Sequence, residues 1–458
     1  MKKNIIMIMS DQHSPSVLGC YGNKEVKTPN IDKLAENGVM FENAYCNNPV
    51  CVPSRMSMLT GLHSSKINVW CNADCLSPHF ATWPLLLRLS DYETVICGRN
   101  HMIWGDRLNG FSKRLCGDES ESIPLISAGK TQQGGKSPQA IDSHLGSVEK
   151  SVHSNHDINV TNHALEYLKN PPGKPFALYV GFYQPHAPFV ALKEYYDMYA
   201  GMPYRSYRNE KFEEPHDKMI KKLQLDREIP DEKLASAVRA YYGMVSHIDN
   251  LIGKIISQVE SSGLLDNTVI IYTSDHGDML GRHRLWHKMC FYEDSVRVPL
   301  IFSFEGCKRG KTVDSNVSLL DLFPTFLEIA ESEEKPELDG QSILPLLNMD
   351  AKSLPKNSVI AESIGIELGR PGRMLKKDNF KLIYYHNEKP ILFDLSKDPD
   401  EHENLAESPA HKDILGEMMA EIMQSWDVNK INKTFEECRK HSCYHSAVSR
   451  LSAAEKKS

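Results

Sequence analysis

Runs of consecutive apolar, β-rich residues punctuate the first three-quarters of the chain at Asn4–Ser10, Thr94–Cys97, Phe176–Phe182, Val269–Thr273 and Val298–Phe304. Each is apolar nearly throughout instead of alternating, which predicts strands covered on both faces. Helical patterns fall between them at Asn30–Asn37, Ala81–Leu89 and Asn159–Leu168. The clearest helix spans Asp231–Ser261, where Leu234, Val238, Tyr241, Val245, Ile248, Ile252, Ile255 and Val259 share one stripe before a stop at Gly263. This alternation predicts an α/β fold with a large, mainly parallel sheet sandwiched by helices. Ligands in such folds bind beyond the carboxyl ends of the strands. After about Leu347 the pattern changes. Val359–Glu362, Phe380–Tyr385 and Ile391–Leu395 read as strands, the latter two as a hairpin, ahead of a helix near His411–Trp426. We therefore expect a main α/β domain over residues 1–347 and a smaller C-terminal α+β domain over 348–458, with antiparallel strands and a terminal helix. Cys116–His156 and Tyr204–Glu228 read as long insertions of the kind that shape pockets.

Composition narrows the class. The chain has 458 residues, 41% of them hydrophobic and 25% charged, which fits a globular enzyme with a sizeable core. A net charge of −7 offers no basic face for nucleic acid. Eleven scattered cysteines, an odd number, do not form a disulfide framework. Cys71 with Cys75, and Cys438 with His441, Cys443 and His445, match no strong zinc spacing and read as free thiols. The apolar run Ile5–Met9 after Lys2-Lys3 is too short for the core of a signal peptide and reads as a buried first strand. No stretch is apolar enough to span a membrane. These features lead us to expect a cytoplasmic protein with neither nucleic-acid nor membrane partners.

Candidate chemistry sits at the strand ends. Asp11-Gln12 follows the first strand, and Thr273-Ser274-Asp275-His276-Gly277-Asp278 follows a later one. Carboxylate and amide oxygens converging there would suit Ca²⁺ or Mg²⁺, and an imidazole widens the choice to Mn²⁺. The run Cys51-Val52-Pro53-Ser54-Arg55, closed by Gly61, opens a helix with the cysteine at its N-terminus. The positive end of the helix dipole and free backbone N–H groups make that a good place for an anionic reacting group. Taken singly, Cys51 is a small buried hydrophobe and each aspartate a cap or turn residue. Taken together, they read as one site.

The chain resembles the type I, formylglycine-dependent sulfatases of the alkaline-phosphatase-like superfamily. The resemblance rests on Asn4–Gln12, Thr28-Pro29-Asn30-Ile31-Asp32, the Cys51–Gly61 signature and Gly98-Arg99-Asn100-His101. It continues through Pro185-His186-Ala187-Pro188, Ser274–Gly281, Lys288, and Phe393-Asp394-Leu395-Ser396-Lys397-Asp398-Pro399 with Asn404-Leu405. It implies hydrolysis of a sulfate monoester to an alcohol and inorganic sulfate, with Cys51 oxidised to a formylglycine whose hydrate is the nucleophile. It also implies a formylglycine-generating enzyme as a maturation partner. Asp11, Gln12, Asp275 and His276 would hold a divalent metal, calcium foremost with magnesium and manganese as alternatives, together with an oxygen of the modified Cys51.

By the same resemblance Arg55 would stabilise the hydrated aldehyde, while Lys288 and His186 would contact the sulfate group and the leaving oxygen. Arg99 and His101 match the family's Gly-Lys-x-His motif with Arg replacing Lys, which keeps the charge but changes its shape and hydrogen bonding. The Gln12/His276 version is similar to choline-sulfatase-like members and to phosphonate monoester hydrolases. A phosphonate monoester or phosphodiester hydrolase on the same scaffold is accordingly the alternative reading. The expected substrate is a small sulfated molecule: choline sulfate, an aryl sulfate or a sugar sulfate. Asn72 and Trp104 lie in regions that resemble the choline-sulfatase-like group and are candidates to face it. His247 reads as packing, and His283 with His287 as pocket-lining or structural residues, although i,i+4 spacing on a helix would suit a metal. The extended C-terminus leaves room for a homo-oligomer.

Overall fold

The computed structural model describes residues 2–102, 108–118, 145–205, 207, 215–222, 229–364, 369–434 and 436–437. Trp104 and the Cys438–His445 cluster lie outside the described residues.

An eight-stranded sheet organises the chain. Its strands are β1 (Asn4–Asp11), β2 (Val39–Phe41), β3 (Glu93–Gly98), β4 (Lys113–Arg114), β5 (Phe176–Pro185), β6 (Thr268–Ser274), β7 (Leu300–Ser303) and β8 (Lys311–Val313). They are ordered β8-β2-β7-β6-β1-β5-β3-β4. Pairing is parallel throughout except at β7, which runs against both neighbours, β6 and β2. The sheet is thus mainly parallel, as the apolar runs implied.

The central strand shows why those runs lack alternation. Ile6 and Ile8 of β1 pack on one face, against Ile31 of helix α1 (Pro29–Glu36), Val160 and Ala164 of α4 (Val152–Lys169), and Ile248 and Ile252 of α5 (Asp231–Ser261). Ile5, Met7 and Met9 point to the other face, against Met56 and Leu59 of α2 (Cys51–Thr60), Trp83 and Leu87 of α3 (Trp83–Leu89), and Phe323 and Phe326 of α6 (Leu322–Ile329). Successive side chains alternate between two apolar layers, so both registers must be apolar.

A second sheet is antiparallel, in the order β9 (Ser358–Ser363), β10 (Gly372–Lys377), β11 (Phe380–Tyr385), β12 (Ile391–Asp394). One face carries Leu375, Leu382 and Leu392 against Met418 and Ile422 of α7 (Lys412–Met423). From the other face Met374, Ile383 and Phe393 join the main core. The Lys381 ammonium reinforces that junction, with 2.8 Å contacts to both Glu293 and Glu401.

Several of the described elements depart from the reading of the apolar pattern. Strand β2 is apolar but only three residues long, and the short strands β4 and β8 and the charged strand β10 carry no continuous apolar run. Helix α4 begins at Val152, inside the stretch expected to be a surface excursion. A helix, His216–Lys222, occupies part of the Tyr204–Glu228 insertion.

Candidate active site at the strand ends

Four adjacent parallel strands deliver the site. Asp11 ends β1, Asp275 follows β6, His186 follows β5 and Arg99 follows β3, all at carboxyl ends. Gly181 of β5 makes one of these approaches possible, since a Cβ there would lie 1.8 Å from the Arg99 carbonyl oxygen. Without a side chain, the Arg99 N–H can donate to the Gly181 carbonyl at 2.9 Å, which fixes where the guanidinium starts.

Cys51 is the first residue of α2, a helix buried along its whole length. Val50, at the N-cap, has no side chain able to cap it, and Asn72 supplies the missing acceptor, taking the Val52 N–H at 3.0 Å. Asn72, expected to face substrate, therefore has a bond to the helix that presents Cys51. The Ser54 hydroxyl donates to the Asp275 carbonyl oxygen at 2.6 Å and ties the first turn of α2 to the end of β6.

Arg55, one turn further on, is wholly buried. Its Nη2 lies 3.1 Å from Asp11 Oδ2 and its Nε 2.9 Å from Asp275 Oδ2. Its Nη1 donates to Tyr179 Oη at 2.7 Å and to the Arg99 carbonyl oxygen at 3.1 Å. Arg99 Nε reaches Asp11 Oδ2 at 2.5 Å, and its guanidinium stacks over Tyr183, 4.7 Å from the ring centre. Burial works against charge on Asp11 and the Cys51 sulfur adds to that, but Arg99, His186 and Arg55 outweigh both and hold its carboxyl below the usual range.

Hydrogen bonds assign the three imidazoles. Arg99 Nη2 donates to His101 Nδ1 at 3.2 Å, so the His101 proton sits on Nε2. His276 Nδ1 faces the Gly277 carbonyl oxygen at 3.1 Å, which leaves the Nε2 lone pair aimed at Cys51 Sγ, 3.2 Å away. His186 Nδ1 faces the Ala187 carbonyl oxygen at 2.6 Å, and its Nε2 accepts from Lys288 Nζ at 2.9 Å. Lys288 also donates to Gln12 Oε1. The Cys51 thiol is pushed up by burial but pulled well below its ordinary range, foremost by the Lys288 ammonium. Position 51 thus lies in a field that favours negative charge.

Ligand atoms of Asp11, Cys51, Asp275 and His276 lie within 4.8 Å of one another, and all four residues are buried. Two carboxylates and an imidazole lone pair directed at one point fit a hard divalent cation. Gln12 stands beside them in a left-handed conformation, φ 69°, at the end of β1. Its amide nitrogen is bonded to Asp278 and its oxygen to Lys288. The structure therefore brings together Asp11, Gln12, Cys51, Arg55, Arg99, His101, His186, Asp275, His276 and Lys288 from six separate segments.

Two carboxylates that sequence reasoning did not single out belong here. Asp118 Oδ2 accepts from the backbone N–H groups of Asn100 at 3.0 Å and His101 at 2.5 Å, while Oδ1 lies 3.5 Å from Arg99 Nη1. Asp278 holds Gln12. Among the other histidines, His247 is buried and bonded to Gln184 Oε1 at 2.7 Å, a packing role. His283 and His287 do not share a helix face: both have positive φ, and His283 stacks on Tyr292 at 4.3 Å. Cys71 is half-buried and Cys75 exposed. Among the described residues, no helix is long and apolar enough to cross a membrane.

Residues 3–332 match the sequence model of the family described as Sulfatase, and residues 281–427 match that of the N-sulphoglucosamine sulphohydrolase C-terminal region. The chain is 31% identical over 434 residues to the choline-sulfatase of Rhizobium meliloti (strain 1021), covering 89% of this chain and 83% of that protein. It is 30% identical over 446 residues to an arylsulfatase of Clostridium perfringens (strain 13 / Type A), covering 90% and 92% respectively. In fold it is similar to the phosphonate monoester hydrolase of Agrobacterium radiobacter, with a TM-score of 0.76 at 22% identity over 92% of this chain and 95% of that one. A structure in complex with its substrate D-glucosamine-2-N,6-O-disulfate has a TM-score of 0.75 at 22% identity, over 95% and 99% of the two chains.

Proposed function

The chain belongs to the sulfatase family and is a sulfuric ester hydrolase, and from that premise we propose that its nucleophile is formylglycine made from Cys51. The observation that carries this is the convergence of Asp11, Asp275 and His276 on Cys51 at the N-terminus of α2. The proposal includes a divalent cation, most readily calcium, held by Asp11, Gln12, Asp275, His276 and the side chain of residue 51. The hydrated aldehyde would supply one hydroxyl to attack sulfur as the S–O bond to the alcohol breaks, and its other hydroxyl would then expel sulfate as the aldehyde reforms; the cation, when bound, would neutralise the anionic sulfate oxygens.

The protein's own groups account for the remainder. Arg55, fixed by four hydrogen bonds, holds Asp11 and Asp275 in place and adds positive charge beside position 51. His101 presents its Nε2 proton, and Arg99 maintains that tautomer from behind. Lys288 has a transferable proton next to a neutral His186, so a proton can reach the oxygen of the departing alcohol from one and be replaced through the other. Burial and Lys288 both lower the pKa of His186, while Asp11 and Cys51 oppose them, consistent with its role as the neutral partner.

We propose a small sulfated substrate, with choline sulfate, aryl sulfates and sulfated sugars as the classes to examine, in keeping with the names of the similar proteins. Maturation would require a formylglycine-generating enzyme, and cytoplasmic residence belongs to the same proposal. The test is sulfate release from these three classes by protein coexpressed with that enzyme, measured alongside hydrolysis of a phenylphosphonate monoester. Sulfate release lost on chelation and regained with calcium is the expected result. Faster phosphonate cleavage by fully converted protein would favour the alternative reading and overturn ours.

A further inference from the structure

Gln12 has an ambiguous side chain: a primary amide presents an oxygen or a nitrogen depending on which way it is turned. Its backbone is fixed, because its N–H donates to Asp275 Oδ1 at 3.0 Å and its carbonyl oxygen accepts from Tyr241 Oη at 2.6 Å. Only the amide orientation is left to be decided. On one side stands Lys288 Nζ, which can only donate, and on the other the carboxylate of Asp278.

Asp278 is fully buried and lies outside the set of cation ligands proposed above. Its Oδ1 accepts two backbone N–H groups, from Leu280 at 2.8 Å and from His287 at 3.1 Å. Its Oδ2 accepts from Gln12 Nε2. The loop it spans holds Leu280, His283, Arg284, His287 and Met289 at positive φ, a conformation that non-glycine residues keep only when their surroundings enforce it. One carboxylate therefore fixes two things: the backbone just before Lys288, and the face of the Gln12 amide.

We propose that Asp278 is a positioning residue that selects the orientation of the Gln12 amide, so that its oxygen and not its nitrogen faces Lys288 and the cation position. The inference rests on the proposed cation. A carbonyl oxygen has two lone pairs, so Lys288 can occupy one and leave the other for a cation. With the amide turned, an NH₂ group would confront both the ammonium and the cation.

The decisive experiment exchanges donor and acceptor. Asp278→Asn sets an amide against an amide, and whichever way Asn is turned a donor faces a donor, either at Gln12 or at the Leu280 and His287 N–H groups. Gln12→Glu sets carboxylate against carboxylate and tests the same contact without changing Asp278. The double variant Q12E/D278N restores one donor and one acceptor. Calcium alone is titrated by calorimetry into metal-stripped enzyme, with kcat and KM for an aryl sulfate measured in parallel.

Asp278→Asn should bind calcium at least about tenfold more weakly, the usual effect of losing a group that orients a ligand. Loss of kcat should exceed any rise in KM, and the double variant should recover calcium affinity to within about threefold of the unsubstituted enzyme. A merely structural Asp278 would not be rescued by a second change that itself harms the site. D278N with unchanged calcium affinity, or a double variant no better than D278N, would overturn the assignment while leaving the proposed cation intact. An unsubstituted enzyme that binds neither calcium nor magnesium would remove the cation, and this inference with it.

Discussion

Replacing Arg55 with Met should destabilise the metal-stripped protein far more than the calcium-loaded one. The guanidinium is fully buried and pairs with Asp11 at 3.1 Å and Asp275 at 2.9 Å, so its removal leaves two buried carboxylates short of positive charge. Breaking a buried pair from one side costs about 3–5 kcal/mol, mostly the penalty of the abandoned charge. At an unfolding entropy of ~2.1 cal/mol/K per residue, a 458-residue chain has roughly 1 kcal/mol per degree, so the melting temperature should fall by about 3–5 °C. Arg99 softens the loss because it also reaches Asp11, at 2.5 Å, but among the described residues Asp275 meets no second guanidinium. A cation between the two carboxylates would supply the missing charge, so calcium should recover most of the deficit. Activity should still fall by about 10²–10³-fold, because fixed charge beside the reacting group is lost. Differential scanning calorimetry with chelator and with calcium reads both halves. A shift below about one degree in chelator, or an equal loss in both conditions, would refute the charge-balance argument.

Cys51→Ala should abolish turnover while leaving the melting temperature within a few degrees of the unsubstituted enzyme, and intact-mass analysis of active protein should show the thiol exchanged for an aldehyde oxygen. Asp118→Ala should lower kcat by about a hundredfold, since it frees the Asn100 and His101 N–H groups that set the His101 ring, and a small displacement of a reacting group costs that much. Burial pushes the Asp321 carboxyl up to about 7, although the Gln341 and Ser318 N–H groups pull the other way. A folded pKa raised above the unfolded value makes this group's contribution full below about pH 4 and lost as pH rises through about 7. Asp321→Asn should therefore flatten the fall in melting temperature over that window, and an unchanged slope would count against it.

The strands that read correctly from the sequence are those whose two faces are both covered. In β1, Ile6 and Ile8 meet one apolar layer and Met7 and Met9 the other, so the strand appears as an unbroken apolar run. Strand β10 carried no such signal, because Arg373 and Lys376 are buried through polar contacts: Arg373 to Glu362 at 2.9 Å and to the Ile422 carbonyl oxygen at 2.9 Å, Lys376 to the Asp378 carbonyl oxygen. Edge strands as short as Lys113–Arg114 leave no periodicity to detect. At the site, most side chains within recognisable motifs were legible, whereas Asp118, outside any motif, and the role of Asp278, inside one, were not. Each acts by accepting N–H groups from distant or local backbone and side chains, and no spacing in the sequence encodes that arrangement.

The charge around position 51 constrains which esters the site can take. Asp11, Asp118, Asp275 and Asp278 oppose Arg55, Arg99 and Lys288, which leaves one formal negative charge among groups that are all nearly or fully buried. A divalent cation turns that excess into one positive charge, which matches a singly charged ester and not the bare protein. Without the cation, a sulfate ester would enter a buried site of its own sign, and at an effective dielectric of ~20 two like charges 4 Å apart repel by about 4 kcal/mol. Chelation should therefore raise KM as well as lower kcat. The same balance suits a phosphonate monoester, also singly charged, and disfavours a doubly charged phosphate monoester. Relative kcat/KM for one aryl alcohol carried as sulfate, phosphonate monoester and phosphate monoester tests this directly. The sulfate should be fastest and the phosphate monoester slowest, and a phosphate monoester turned over as fast as the sulfate would mean that charge balance does not govern selection.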